Sequence, residues 1–158
     1  MPGFHHVAYA CRDLKETVRF YEALGFPLVH TELNGREVDG ATAYFRHVFF
    51  DLGDGSSLAF FDLHGVGESP DWTTDLAKAT GTPTWVNHLA FQADQARQDD
   101  ARARMDAYGV KPFMDIDHGW CHSLYYIDPN SIMIEFCRDT PGFTPDPESA
   151  HRLLDALP

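Results

Sequence analysis

Three residues of this 158-residue chain have the type and setting of metal ligands: His6, His88 and Glu135. The two histidines open matching tetrads, His6-Val7-Ala8-Tyr9 and His88-Leu89-Ala90-Phe91. Both tetrads alternate like a half-buried strand, which places the histidine and the small alanine on one face. Glu135 lies within the apolar run Ile132-Met133-Ile134-Glu135-Phe136. A carboxylate flanked so closely by large apolar residues is costly to bury unless it is paired or bound to a cation. Two imidazoles and one carboxylate with open positions suit Fe(II), the favoured ion, and also Mn, Co, Ni or Zn. A single strand histidine is commonly a satisfied core residue, and a single strand glutamate a solvated one. Equivalent histidines in two copies of a pattern, together with a glutamate in an apolar strand, make a shared divalent ion the better expectation.

Other residues could handle protons. His118 and His122 flank Gly119-Trp120-Cys121, a stretch with too much His, Gly and Trp for plain strand. Either histidine can supply acid–base chemistry near neutral pH, or be an ordinary loop residue. His47 alternates in register with Asp51 on an aromatic strand and is a further candidate. Phe45, Phe49, Phe61 and Trp120 would give an apolar wall suited to a planar substrate, although aromatics at strand spacing more often fill a core.

The elements that must position these groups repeat. After each tetrad comes a helix candidate. Asp13 with Glu16 outlines a capping box, Leu14, Val18, Tyr21 and Leu24 form a stripe, and Gly25 stops it. Asp94 caps an Ala-rich segment with a thin apolar face (Ala96, Ala101, Met105, Tyr108), stopped by Gly109. Each copy then has an aromatic strand, Tyr44 to Leu52 or Ser123 to Ile127, followed by a turn and an apolar strand. The turns align Asp54-Gly55-Ser56-Ser57 with Asp128-Pro129-Asn130-Ser131, so that Phe61 falls opposite Glu135. The surplus residues of the first copy fall in the polar stretch Thr31 to Ala41.

The expected fold class is α+β, with two tandem βαβββ modules forming a curved, mostly antiparallel sheet around a central metal site. A single domain, 1–158, would hold module 1 at about 3–63, a linker at 64–83, module 2 at about 84–138, and a tail with a short helix at 139–158. In that helix Asp146 caps, Pro147 opens, and the expected end is Leu157.

Composition narrows the partners. The chain is 44% hydrophobic and 23% charged with a net charge of −12, so a core is affordable without disulfides while no basic face exists for nucleic acid or anionic membrane. No apolar run approaches the ~20 residues of a membrane span. Met-Pro-Gly-Phe-His-His lacks the regions of a secretion signal, and three cysteines without a Cys-x-x-Cys pair suggest reduced thiols. A cytoplasmic protein acting on a small molecule is the expectation.

The residues that carry this pattern also resemble a known family. His6-Val7-Ala8-Tyr9, Asp13-Leu14, Phe20-Tyr21-Glu22-x-Leu24-Gly25-Phe26, Asn87-His88-Leu89-Ala90-Phe91 and Tyr126-Ile127-Asp128-Pro129-Asn130-x-Ile132-x-Ile134-Glu135 are similar to the vicinal oxygen chelate superfamily. That group includes glyoxalase I, bleomycin and fosfomycin resistance proteins and extradiol dioxygenases. The resemblance implies a paired βαβββ fold, a divalent metal chelating two neighbouring substrate oxygens, and a homodimer by habit. Glyoxalase-like members use a fourth ligand where Phe61 is aligned. The set His6, His88 and Glu135 instead resembles extradiol dioxygenases and fosfomycin-resistance transferases. Tyr125, ten residues before Glu135, sits where extradiol enzymes carry a tyrosine that hydrogen-bonds the catecholate oxygen. Their acid–base histidine usually starts the first unit's last strand; Gly55-Ser56-Ser57-Leu58 has none, and His47 is the candidate substitute. Ring cleavage of a catechol-like diol is thus the favoured activity. A glyoxalase-like lyase or isomerase, a fosfomycin-resistance-type transferase and a non-catalytic ligand-binding protein are the alternatives.

Overall fold

The computed structural model describes residues 3–38, 40–67, 71–154 and 156. In chain order the elements are β1 (His6–Cys11), α1 (Leu14–Ala23), β2 (Leu28–Val38), β3 (Ala41–Asp51), β4 (Ser57–His64) and α2 (Leu76–Thr80). They continue with β5 (His88–Gln92), α3 (Gln95–Tyr108), β6 (Met114–Asp117), β7 (Cys121–Ile127), β8 (Met133–Asp139) and α4 (Pro147–Leu153). The α+β class and the tandem βαβββ modules are what the repeat predicts. Each module forms its own four-stranded mixed sheet, in the orders β1-β4-β3-β2 and β5-β8-β7-β6. In both, the first strand runs parallel to the last and the other pairings are antiparallel.

Helix starts follow the capping chemistry. The Asp13 carboxylate accepts from Glu16 N–H at 2.9 Å, and that of Asp94 from Arg97 N–H at 2.8 Å. Gly109 closes α3 in the left-handed region (φ 91°), where a side chain would be strained. Asp146 and Pro147 start α4 as expected, but the helix ends at Leu153; Leu157 lies outside the described residues. The surplus residues of the first copy, in the stretch Thr31 to Ala41, lengthen a hairpin, since β2 and β3 pair from Leu28 to Val38. One further reading changes. The stretch expected to be irregular enters β7 at Cys121 and His122.

One core serves both modules. Phe20, Tyr21, Leu24 and Phe26 around α1 pack with Phe50, Leu58 and Phe60 of their own sheet. The same core holds Met105 of α3 and Leu124, Ile134 and Phe136 of the second sheet. Phe26 stacks on Phe136 with ring centroids 6.1 Å apart. A buried polar knot ties the halves together as well. The Asp128 carboxylate accepts from Tyr21 Oη at 2.8 Å, from Asn130 N–H at 2.8 Å and from Ile132 N–H at 2.7 Å. Asn130 in turn accepts from Arg12 N–H and donates to Thr17, each at 3.1 Å. Burial holds the Asp128 carboxyl above the usual carboxylate range, and these hydrogen bonds pull it back in part.

Candidate metal centre

Strand alternation decides which side chains can meet. Val7 and Tyr9 of β1, and Leu89 and Phe91 of β5, pack against the shared core. His6 and Ala8, and His88 and Ala90, therefore occupy the faces turned away from it. On the second module that open face carries the chemistry. His88 Nε2 lies 3.0 Å from Glu135 Oε2. Glu135 Oε1 accepts from Ser123 Oγ at 2.5 Å and from Tyr125 Oη at 3.1 Å. His118 Nε2 lies 3.0 Å from Tyr125 Oη, and since that hydroxyl donates to Glu135, the imidazole is the donor.

The His88 pair bears directly on a cation. His88 Nδ1 is 3.0 Å from the Trp85 carbonyl, a group that can only accept, so the ring proton resides on Nδ1. In the neutral imidazole, Nε2 then turns a lone pair toward a carboxylate oxygen. Two acceptors 3.0 Å apart hold either a proton or a metal ion between them. The carbonyl behind Nδ1 is the outer support that metal-binding histidines use. Glu135 is 5% exposed, so its charge has little help from water. His88 and Glu135 therefore fit a divalent ion with imidazole and oxygen preference.

His6 does not complete this set within one chain. Ligands on one ion can stand at most about 4.2 Å apart, twice a bond of ~2.1 Å. Among the described residues the donor atoms of His6, His88 and Glu135 do not all come within 4.8 Å of one another. The expectation of a central three-ligand site inside a single chain is corrected accordingly. The cause is the shared core, which draws the opposite faces of the two sheets together.

The first module's open face is aromatic. His6 lies against Phe49 and His47, with ring centroids 5.4 and 6.0 Å apart. His47 stacks on Phe61 at 3.7 Å, and Phe61 touches Phe45 at 5.5 Å. His47 is buried and its Nε2 finds no hydrogen-bond partner among the described residues. Burial, and then the neighbouring His6, hold its pKa below the ordinary histidine value, which favours the neutral base.

The ladders correct the alignment of the copies by two residues. His6 pairs with Ser57 and Ala8 with Ala59, while His88 pairs with Met133 and Ala90 with Glu135. The counterpart of Glu135 is thus Ala59 rather than Phe61. By the same register Phe49 answers to Tyr125, His47 to Ser123, Phe45 to Cys121 and Phe61 to Cys137. Two expected site residues stand elsewhere. His122 alternates to the opposite face from Tyr125 and pairs with Asp115 at 3.1 Å. Trp120 is half exposed, with its ring 5.7 Å from that of Phe143. Ser123, which the sequence reading missed, lay two positions before Tyr125 on the same strand face.

A family model of the Glyoxalase/Bleomycin resistance protein/Dioxygenase superfamily matches residues 3–144. The chain belongs to that superfamily. Solved structures agree on the superfamily fold. A glyoxylase/bleomycin resistance protein/dioxygenase domain from Frankia sp. EAN1pec matches with TM-score 0.61 at 19% identity, covering 89% of this chain and 99% of the other. The fosfomycin resistance protein FosX from Listeria monocytogenes matches with TM-score 0.58 at 20% identity, covering 89% and 96%. A lactoylglutathione lyase from Agrobacterium tumefaciens matches with TM-score 0.55 at 22% identity, covering 90% and 98%. No curated protein matches the sequence. Superfamily members are mostly metal-dependent enzymes acting on small molecules, and no helix among the described residues is long and apolar enough to cross a membrane.

Proposed function

We propose that this superfamily member is a divalent-metal-dependent enzyme acting on a small vicinal diol, and that it cleaves a catechol-like ring with dioxygen, using Fe(II). The observation that carries the reading is the combination at equivalent positions of the two modules: Glu135 backed by Tyr125 and His118 on one, Ala59 among aromatic rings on the other. Alanine offers no fourth ligand. His6, His88 and Glu135 would then be the protein's whole contribution to the ion, a donor set that would leave room for substrate oxygens.

His6 comes from a second copy. β1 and β5 are both free edges of their sheets, and open strand edges favour pairing with another chain. A two-fold arrangement that sets β1 of one copy beside β5 of the other brings His6 to His88 and Glu135 twice per dimer. The bound ion supplies positive charge that favours the deprotonated diol. Around it the chain's own groups divide the work. His47, neutral in its buried place beside His6, accepts a substrate hydroxyl proton at Nε2. Tyr125 is kept protonated by burial first and by the nearby Glu135 charge; its single O–H, held by Glu135 in this structure, turns to a substrate oxygen once that carboxylate serves an ion, and His118 supports its oxygen from behind. Phe45, Phe49 and Phe61 provide a flat apolar floor and exclude water.

A phosphonate substrate is disfavoured, because Arg46, on the inner strands of module 1, is held by Asp62 at 2.8 Å on the opposite face from His47. The test is oxygen uptake by the Fe(II)-loaded protein under a panel of catechols, beside Ni, Co and Zn forms assayed without oxygen. Catechol-dependent oxygen consumption with Fe(II) supports ring cleavage. Oxygen-independent turnover with the other ions moves the assignment to a lyase or isomerase.

A further inference from the structure

We infer that Cys121, Cys137 and Glu135 form a second cation site, selective for thiophilic ions such as Zn²⁺, Cd²⁺ or Cu⁺, which competes with the histidine site for the shared carboxylate. One ligand atom from each of the three lies within 4.8 Å of the others, and this is the one such group among the described residues. All three stand on the open face of the second sheet, since Cys121, Ser123 and Tyr125 alternate along β7 while Glu135 and Cys137 alternate along β8. Cys121 Sγ is 3.5 Å from Ser123 Oγ, which donates to Glu135 Oε1, so the sulfur side and the carboxylate are already joined.

The geometry favours an ion over a disulfide. Cys121 pairs with Asp139 and Ser123 with Cys137, which makes the two cysteines diagonal neighbours. Diagonal positions on antiparallel strands are roughly 7–8 Å apart, past the ~7 Å span that a disulfide bridges without moving backbone. Two sulfurs on one tetrahedral ion stand only about 3.8 Å apart, given bonds of ~2.3 Å, which asks for a small closure of the sulfurs and no backbone change. Soft thiolates select d¹⁰ ions, whereas imidazole and carboxylate suit Fe(II) or Mn. The carboxylate cannot serve both ions fully, so a thiophilic ion here withdraws Glu135 from His88. The counterparts in module 1, Phe45, Ala59 and Phe61, cannot bind metal, so the site occurs once per chain.

The experiment is a titration of the metal-free 158-residue chain with Cd²⁺ in oxygen-free buffer, read by the ultraviolet thiolate-to-cadmium charge-transfer band. One equivalent per chain is expected. C121S and C137S should each weaken binding by more than the ~10–100-fold that loss of an outer-shell partner costs, while C11S and H88A retain the band. A ¹¹³Cd NMR resonance of the wild type at a sulfur-ligated shift decides the matter even if a cysteine variant fails to fold. Wild-type affinity and full band intensity in C121S or C137S, or a wild-type resonance typical of nitrogen and oxygen ligands, overturns the site. Unchanged Co²⁺ uptake by the histidine site of the Cd²⁺-loaded chain overturns the competition. None of these readouts depends on turnover, so failure of the ring-cleavage assignment is seen separately.

Discussion

Replacing Tyr125 by Phe removes one hydroxyl and leaves the ring in place. In the wild type that oxygen sits between two partners, donating to Glu135 at 3.1 Å and accepting from His118 at 3.0 Å. Glu135 keeps its Ser123 hydroxyl at 2.5 Å and its His88 contact, so the carboxylate stays held and the ion keeps its ligands. Loss of an outer partner costs about 10–100-fold in metal affinity, and the low end applies where a second donor remains. Loss of a hydrogen-bond donor to the reacting substrate oxygen costs about 10²–10³-fold in rate. Y125F should therefore bind metal within about 10-fold of wild type while kcat falls by about 100-fold or more. His118 acts through the tyrosine, so H118Q should cost less, and Y125F/H118Q together little more than Y125F alone. Metal affinity by calorimetry and turnover in the same metal-loaded samples give both numbers. Wild-type turnover in Y125F, or additive losses in the double variant, would refute the relay from His118 through Tyr125.

Mixing H6A with E135Q chains should restore activity that neither has alone, reaching about one quarter of the wild-type sites on random pairing, because each mixed dimer has one intact set. No recovery after subunit exchange would place His6 outside the site. Y21F removes the donor that joins α1 to the buried Asp128, and a hydrogen bond to a charged group contributes about 1.5–3 kcal/mol. For a chain of this length that lowers Tm by roughly 3–12 °C, measured by calorimetry. Asp128 also gives a pH signature. Its folded pKa is raised by burial above the unfolded value, so its contribution is fully present below the unfolded value and is lost as pH rises through the folded one. The stability of wild type relative to D128N should therefore grow as pH is lowered from 7 toward 4 in urea titrations; a difference independent of pH counts against the burial argument. Chelator treatment should lower Tm of the metal-loaded protein, and the difference should vanish in E135Q.

Much of the architecture could be read from the chain because capping residues and alternation are local. Asp13, Asp94 and Asp146 each start the helix that their spacing predicts. The open faces of β1 and β5 follow from the alternation in their tetrads. The errors arose where spatial relations outrank local ones. Aligning Asp54 with Asp128 slipped the copies by two residues, because the turns differ: Gly53 and Gly55 take positive φ in the first, whereas Ser131 does so after Pro129 in the second. Alternation also separates His122 from Tyr125, but only once β7 is known to begin at Cys121, which leaves His118 in the turn before it. The position of His6 relative to His88 is set by core packing between modules, which no local pattern encodes.

The two sheets carry a division of labour. One face keeps His88, Ser123, Tyr125 and Glu135 in mutual contact, so a change to any of them disturbs the others. The other presents Phe45, Phe49 and Phe61 around His47 at the corresponding addresses. Phe49 and Phe61 lie against His6 and His47, whereas the ring partner of Phe45 is Phe61. Phe45 is therefore the address at which a larger or smaller apolar group reshapes what the trough admits with least disturbance to the reactive groups, which are set on both halves.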